Sequence, residues 1–154
     1  MINHFAYGSN MDPARIKKRI GRAPVARPAS LRGYELRFNK QVQCKPGIGY
    51  ANIVEAADKT VCGVLYDLTK EELDSIDKCE GVHSGHYLPA NVQVEIENGQ
   101  PISAVTYIAC ADRVAAGLLP ERCYLDHLLA GREYLPPEYL ERLKKQVVRK
   151  CQRM

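Results

Sequence analysis

The 154-residue chain has no tryptophan, only two phenylalanines, and no pair of cysteines in a C-x-x-C spacing. No apolar run approaches the ~20 residues that a bilayer-crossing helix needs. The opening MINHFAYGSN has neither a basic leader nor an apolar core of signal-peptide length. The expectation is therefore a cytoplasmic protein that makes no use of a membrane. The six cysteines, at positions 44, 62, 79, 110, 123 and 151, are scattered. Several stand among apolar neighbours, which reads as reduced, buried thiols rather than a disulfide framework.

What is present is ordinary in bulk and uneven in detail. Hydrophobic residues make up 45% of the chain and charged residues 26%, as in common globular domains. The length suits one domain over residues 1–154, with a core that needs no staples. Net charge is +4, and the excess is local. From Asp12 to Lys45 there are ten lysines and arginines against two acids, densest in RIKKRIGR. A nucleic-acid face is one reading of that segment. With no aromatics interleaved in RIKKRIGR to stack bases, a solvated helix face is favoured, and no nucleic-acid partner is expected.

Periodicity places the elements. INHFAY reads as a buried first strand, and Asp12-Pro13 as a helix start with a capping carboxylate and proline in the first turn. ARPASLRGYELRF reads as extended, with Leu36 and Phe38 on one face, and the glycines of QCKPGIGY as a loop before a strand at 50–55. TVCGVLYDL is a further strand, and Thr69 with Glu72 forms a capping-box spacing for a helix that stops at Gly81. HYLPANVQVEIE and ISAVTYIAC read as two strands joined by a two-residue Asn98-Gly99 turn. A helix around Leu125, Leu128 and Leu129 follows. The last helix would carry an apolar stripe of Tyr139, Leu143, Val147 and Cys151. The order predicts an α+β fold: a small curved or barrel-like sheet, mixed or antiparallel, with helices to one side.

Two stretches concentrate chemistry. DKCEGVHSGHY places Asp77, Cys79, Glu80, His83 and His86 around two glycines between a helix end and a strand start. A metal could take Cys79, His83 and His86, but the spacing is loose and no second cluster completes a shell. A Cys79–His pair could form a thiol nucleophile, but no third group is fixed to orient it. Glu80 could act as a general base. At a helix C-terminus the macrodipole disfavours its anion, so its pKa should rise toward the range that proton transfer near neutrality requires. The other stretch is YGSN at residues 7–10, where a strand turns into a helix. Positive φ at Gly8 would let successive amides converge on an anion or a polarised carbonyl, with Ser9 and Asn10 adding side-chain donors. A donor nest and a base together make an acyl-transfer site, although spacing alone does not say that they meet.

FAYGSNM followed about seventy residues later by EGVHSGHY resembles the γ-glutamylcyclotransferase family. PERCYLDHLLAG, with Tyr124 seven residues before Gly131, and LPPEYLERL extend the likeness over nearly the whole chain. YGSN is nearer the branch that accepts γ-glutamyl-amino acids than the YGSLIW or YGTL of its relatives. The resemblance implies a γ-glutamylcyclotransferase-like fold and conversion of a γ-glutamyl-amino acid or γ-glutamyl-amine to 5-oxoproline and a free amino acid or amine. It implies Glu80 as catalytic acid and base. Phe5, Ala6, Tyr7, Gly8, Ser9, Asn10, Tyr87 and Tyr124 become substrate-binding residues. It implies no metal or cofactor, a small-molecule γ-glutamyl partner and a possible homodimer. The alternative is a non-catalytic γ-glutamyl-binding module on the same scaffold.

Overall fold

In the computed structural model, which describes residues 1–152, five strands close into a barrel in the order β1-β3-β2-β4-β5. They are β1 (Ile2–Ala6), β2 (Ala26–Gln41), β3 (Gly49–Leu68), β4 (Tyr87–Glu95) and β5 (Pro101–Ala109). Neighbours run antiparallel except where β1 closes on β5, which it meets in parallel at His4 and Val105. The helices are α1 (Pro13–Ile20), α2 (Lys70–Cys79), α3 (Arg122–Leu129) and α4 (Pro137–Lys144). The architecture is the expected α+β barrel with flanking helices.

Alternation along the strands builds two cores. Phe5, Leu31, Ile53, Leu65, Val94 and Ala104 form the one enclosed by the barrel. Their neighbours Ala6, Val64, Tyr66 and Leu68 face the other way, where Met11, Ile16, Ile76, Leu125, Leu128 and Leu143 come down from the helices. Leu125 and Leu128 are fully buried, each contributing about 1.5–3 kcal/mol of apolar transfer. This pins α3 to the barrel.

Helix ends follow the local chemistry. The Asp12 carboxylate accepts the Ala14 amide at 3.0 Å, ahead of Pro13, and α1 closes on Gly21 at φ +87°. The Thr69 hydroxyl accepts the Glu72 amide at 3.1 Å, while the Glu72 carboxylate accepts the Thr69 amide at 2.8 Å. This is the capping box the spacing predicts.

Four expectations are corrected. The segments at 50–55 and 60–68 are one strand, because residues 56–59 (Ala-Ala-Asp-Lys) form a bulge within the β2–β3 pairing, opposite the step from Arg32 to Tyr34. The β4–β5 turn lies one residue earlier. Gly99 donates to the Ile96 carbonyl at 2.8 Å with φ +76°, so Glu97 and Asn98 are the central residues and Gly99 is the left-handed residue after them. The last helix ends at Lys144, leaving Val147 65% exposed, since Arg149 pairs with the 120–122 segment instead. Cys151 is bonded to Cys123, so these two are a disulfide and not reduced thiols. Cys62 and Cys110 are half-buried, and Cys44 and Cys79 are exposed.

Candidate active site

β1 delivers FAYGSN to the mouth of the barrel, where Ser9–Met11 forms a single 3-10 turn before α1. Gly8 has φ −114°, so positive φ is not its purpose. Instead it permits close approach: a Cβ there would stand 3.3 Å from Ala51 Cβ and 3.4 Å from the Tyr124 hydroxyl. Gly131 does the same for α3, since a Cβ would come within 2.7 Å of the Met11 carbonyl oxygen. Among the described residues, the amides of Gly8, Ser9 and Asn10 find no acceptor. They form a free donor edge beside the cavity. The turn is anchored from below by Tyr66, whose hydroxyl donates to the Asn10 carbonyl at 2.7 Å.

Glu80 arrives from the other side as the C-cap of α2, with Gly81 at φ +66° turning the chain away behind it. Its side chain is 19% exposed. Asn10 Nδ2 donates to Glu80 Oε1 at 3.0 Å, and Arg19 Nη1 lies 3.6 Å from the same oxygen. Arg19 also donates to Asn10 Oδ1 at 2.8 Å, which fixes which way the Asn10 amide faces. Burial raises the Glu80 pKa above the ordinary carboxylate value, against the pull of Arg19, Arg15, the Asn10 hydrogen bond and Lys40. The result is a carboxylate held in place yet drawn toward its protonated form.

The structure brings Phe5, Ala6, Tyr7, Gly8, Ser9, Asn10, Glu80, Tyr87 and Tyr124 to the wall of one recess of about 30 Å³, room for about one or two waters. His4, Ala51, Thr106 and Tyr107 complete the wall. Three tyrosines are locked by backbone. Tyr7 donates to the Tyr107 carbonyl at 2.5 Å and Tyr87 to the Ala51 carbonyl at 2.7 Å, while Tyr124 accepts the Ala51 amide at 3.0 Å. Burial pushes all three phenols upward, so they stay neutral. The Tyr124 ring stacks on Tyr50 at 4.5 Å between centroids.

A larger chamber of about 260 Å³ opens outward from this recess. Ser9, Glu80, Tyr87 and Tyr124 line both, so they form the throat between them. The outer wall adds Arg15, Arg19, Lys40 and His86. Sequence reasoning missed the arginines because it assigned the basic helix wholly to solvent. Lys17 and Lys18 are indeed exposed, but Arg15 and Arg19, one helical turn apart, face the site. That four-residue spacing was the available signal. His83 and Cys79 are exposed, and His86 turns to Lys40 and Arg113 instead of joining them.

The sequence pattern of the AIG2-like family matches residues 60–143. Human γ-glutamylcyclotransferase is 33% identical over 145 residues, covering 92% of this chain and 76% of that protein. A putative γ-glutamylcyclotransferase of Bacillus subtilis (strain 168) is 35% identical over 94% of this chain, which spans 51% of it. A solved γ-glutamyl cyclotransferase structure superposes with a TM-score of 0.86 at 28% identity, over 99% of this chain and 92% of that one. With the YGSN turn and Glu80 meeting at one throat, the chain belongs to the AIG2-like, γ-glutamylcyclotransferase family.

Proposed function

We propose that this chain converts a γ-glutamyl-amino acid or γ-glutamyl-amine to 5-oxoproline, with Glu80 as the acid and base. The carrying observation is the Asn10–Glu80 hydrogen bond of 3.0 Å. It sets a buried, proton-seeking carboxylate opposite the free amides of Gly8, Ser9 and Asn10 at a throat between two cavities.

The glutamyl head sits at the throat, with only a terminal polar group able to reach into the small inner recess, and the leaving group stays in the outer chamber, which puts the scissile amide beside Glu80. Amine and carbonyl belong to one molecule, so holding the rotamer that brings them together supplies much of the rate. Well-oriented intramolecular reactions reach effective molarities of about 10⁵–10⁸ M. Glu80 takes a proton from the α-ammonium, freeing the lone pair that attacks the γ-carbonyl. The C–N bond of the ring forms, negative charge on oxygen is met by the 8–10 amides, and the old amide C–N bond breaks as Glu80 protonates its nitrogen. Two protons leave the attacking nitrogen between ammonium and lactam. Two arrive on the departing nitrogen between amide and ammonium, so the carboxylate ends as it began.

Incubation with γ-glutamyl-alanine, a γ-glutamyl-amine and glutathione, detecting 5-oxoproline, tests the reading. Product from wild type, and a loss of roughly 10²–10⁴-fold in a folded Glu80→Gln, is expected. Saturable binding with no product from any donor would leave a binding module.

A further inference from the structure

The outer chamber holds a buried cation that makes no hydrogen bond or ion pair with Glu80, although its charge acts on that carboxylate. Lys40, near the end of β2, is 4% exposed, yet among the described residues no carboxylate lies within ion-pair distance of it. Its ammonium donates to His86 Nδ1 at 2.7 Å and lies over the rings of Tyr87 and Tyr50, at 5.6 and 6.0 Å from their centroids. Arg113 reaches the same imidazole nitrogen at 3.3 Å, and its second terminal nitrogen donates to the Ser84 carbonyl at 3.2 Å. Two cations thus share one neutral acceptor. A buried charge left without a counter-charge is strongly destabilising, so an anion arriving here would be held firmly.

Of the other cations of the chamber, Arg19 is held by Asn10 and Glu80. Arg15 has no carboxylate within ion-pair distance among the described residues: its Nη1 lies 3.4 Å from His127, which is itself paired with Asp12, and its Nε is buried without a partner. Lys40 lines the chamber of about 260 Å³ together with Glu80 and Tyr87, on the side where the departing group must lie.

We infer that Lys40, backed by Arg113 through His86, is an anion subsite that takes the α-carboxylate of the leaving amino acid. This rests on the cyclotransferase reading above and narrows it: donors with an acidic leaving group are preferred to γ-glutamyl-amines and amides. The interaction is one charge-assisted hydrogen bond.

The test compares γ-glutamyl-alanine with γ-glutamyl-alaninamide, which differ only in that carboxylate. Wild type should show a kcat/KM higher for the acid by about ten- to a hundredfold. Lys40→Met should bring the acid-to-amide ratio of kcat/KM close to one, and Lys40→Arg should keep it. Free alanine should inhibit wild type more strongly than alaninamide, a readout that needs no variant. Equal efficiency and equal inhibition for the two would overturn the subsite and leave the cyclisation standing. Absence of 5-oxoproline from both donors would overturn the function itself, and with it the subsite.

Discussion

Helix α2 carries a glutamate near each end, and the two live under opposite rules. Glu72, in the first turn, receives the Thr69 amide and both Nε and Nη2 of Arg22, the latter at 2.5 and 2.7 Å. The Arg22 hydrogen bonds, then the Thr69 amide, draw its pKa from 4.5 to about 2. It also sits where the helix dipole favours an anion. Glu80 caps the other end, where carbonyls point outward, and burial raises its pKa despite the cations and Asn10 around it. One end of the helix uses a carboxylate as a structural anion. The other keeps a carboxylate under tension, as a group must be if it is to exchange protons.

The largest break in that comparison should come at Glu80. Its replacement by glutamine keeps the shape and removes the proton carrier, so 5-oxoproline formation should fall by roughly 10²–10⁴-fold. The same change should stabilise the fold above neutrality. A group whose folded pKa is raised favours the native state at low pH, and that advantage is lost as pH rises through the folded value. The variant escapes this loss, so its melting temperature should gain on wild type from pH 4 to pH 8. Equal melting temperatures across that range would contradict the burial argument.

A smaller effect is expected at Asn10. Asn10→Ala removes the donor that steadies the Glu80 anion, so the pKa rises further and the acid limb of the pH–rate profile moves to higher pH. The rate at pH 7 should drop roughly tenfold. The smallest effect belongs to the structural end. Thr69→Ala should cost about 1 kcal/mol of stability with activity unchanged. Glu72→Gln should destabilise most above pH 5 and approach wild type only as pH falls through about 2, because a depressed pKa contributes stability that is lost as pH falls through it.

Both ends of α2 were legible in the sequence: the Thr69–Glu72 spacing gives the cap, and a glycine after Glu80 gives the exit. The YGSN turn and the helix of Tyr124 were legible as motifs, but their meeting was not, since it depends on barrel closure that pairs β1 with both β3 and β5. The β2–β3 pairing was hidden by the bulge at 56–59, where two alanines and Asp58-Lys59 break the strand pattern and look like a loop in one dimension. The Cys123–Cys151 bond was hidden by scattered spacing, and it exists because the tail folds back onto residues 120–122 at the start of α3. Lys40 gave no signal at all. Nothing local marks a lysine that the fold buries without an acid beside it.

Direct titration of the two glutamate side-chain carboxyls in one sample, by carbon NMR with Glu72→Gln and Glu80→Gln for assignment, tests the central claim most closely. The account predicts Glu72 titrating near 2 and Glu80 above the usual carboxylate range, at the same pH as the acid limb of kcat/KM for 5-oxoproline formation. A Glu80 that titrates at or below an ordinary carboxylate, or a rate indifferent to its protonation, would contradict it.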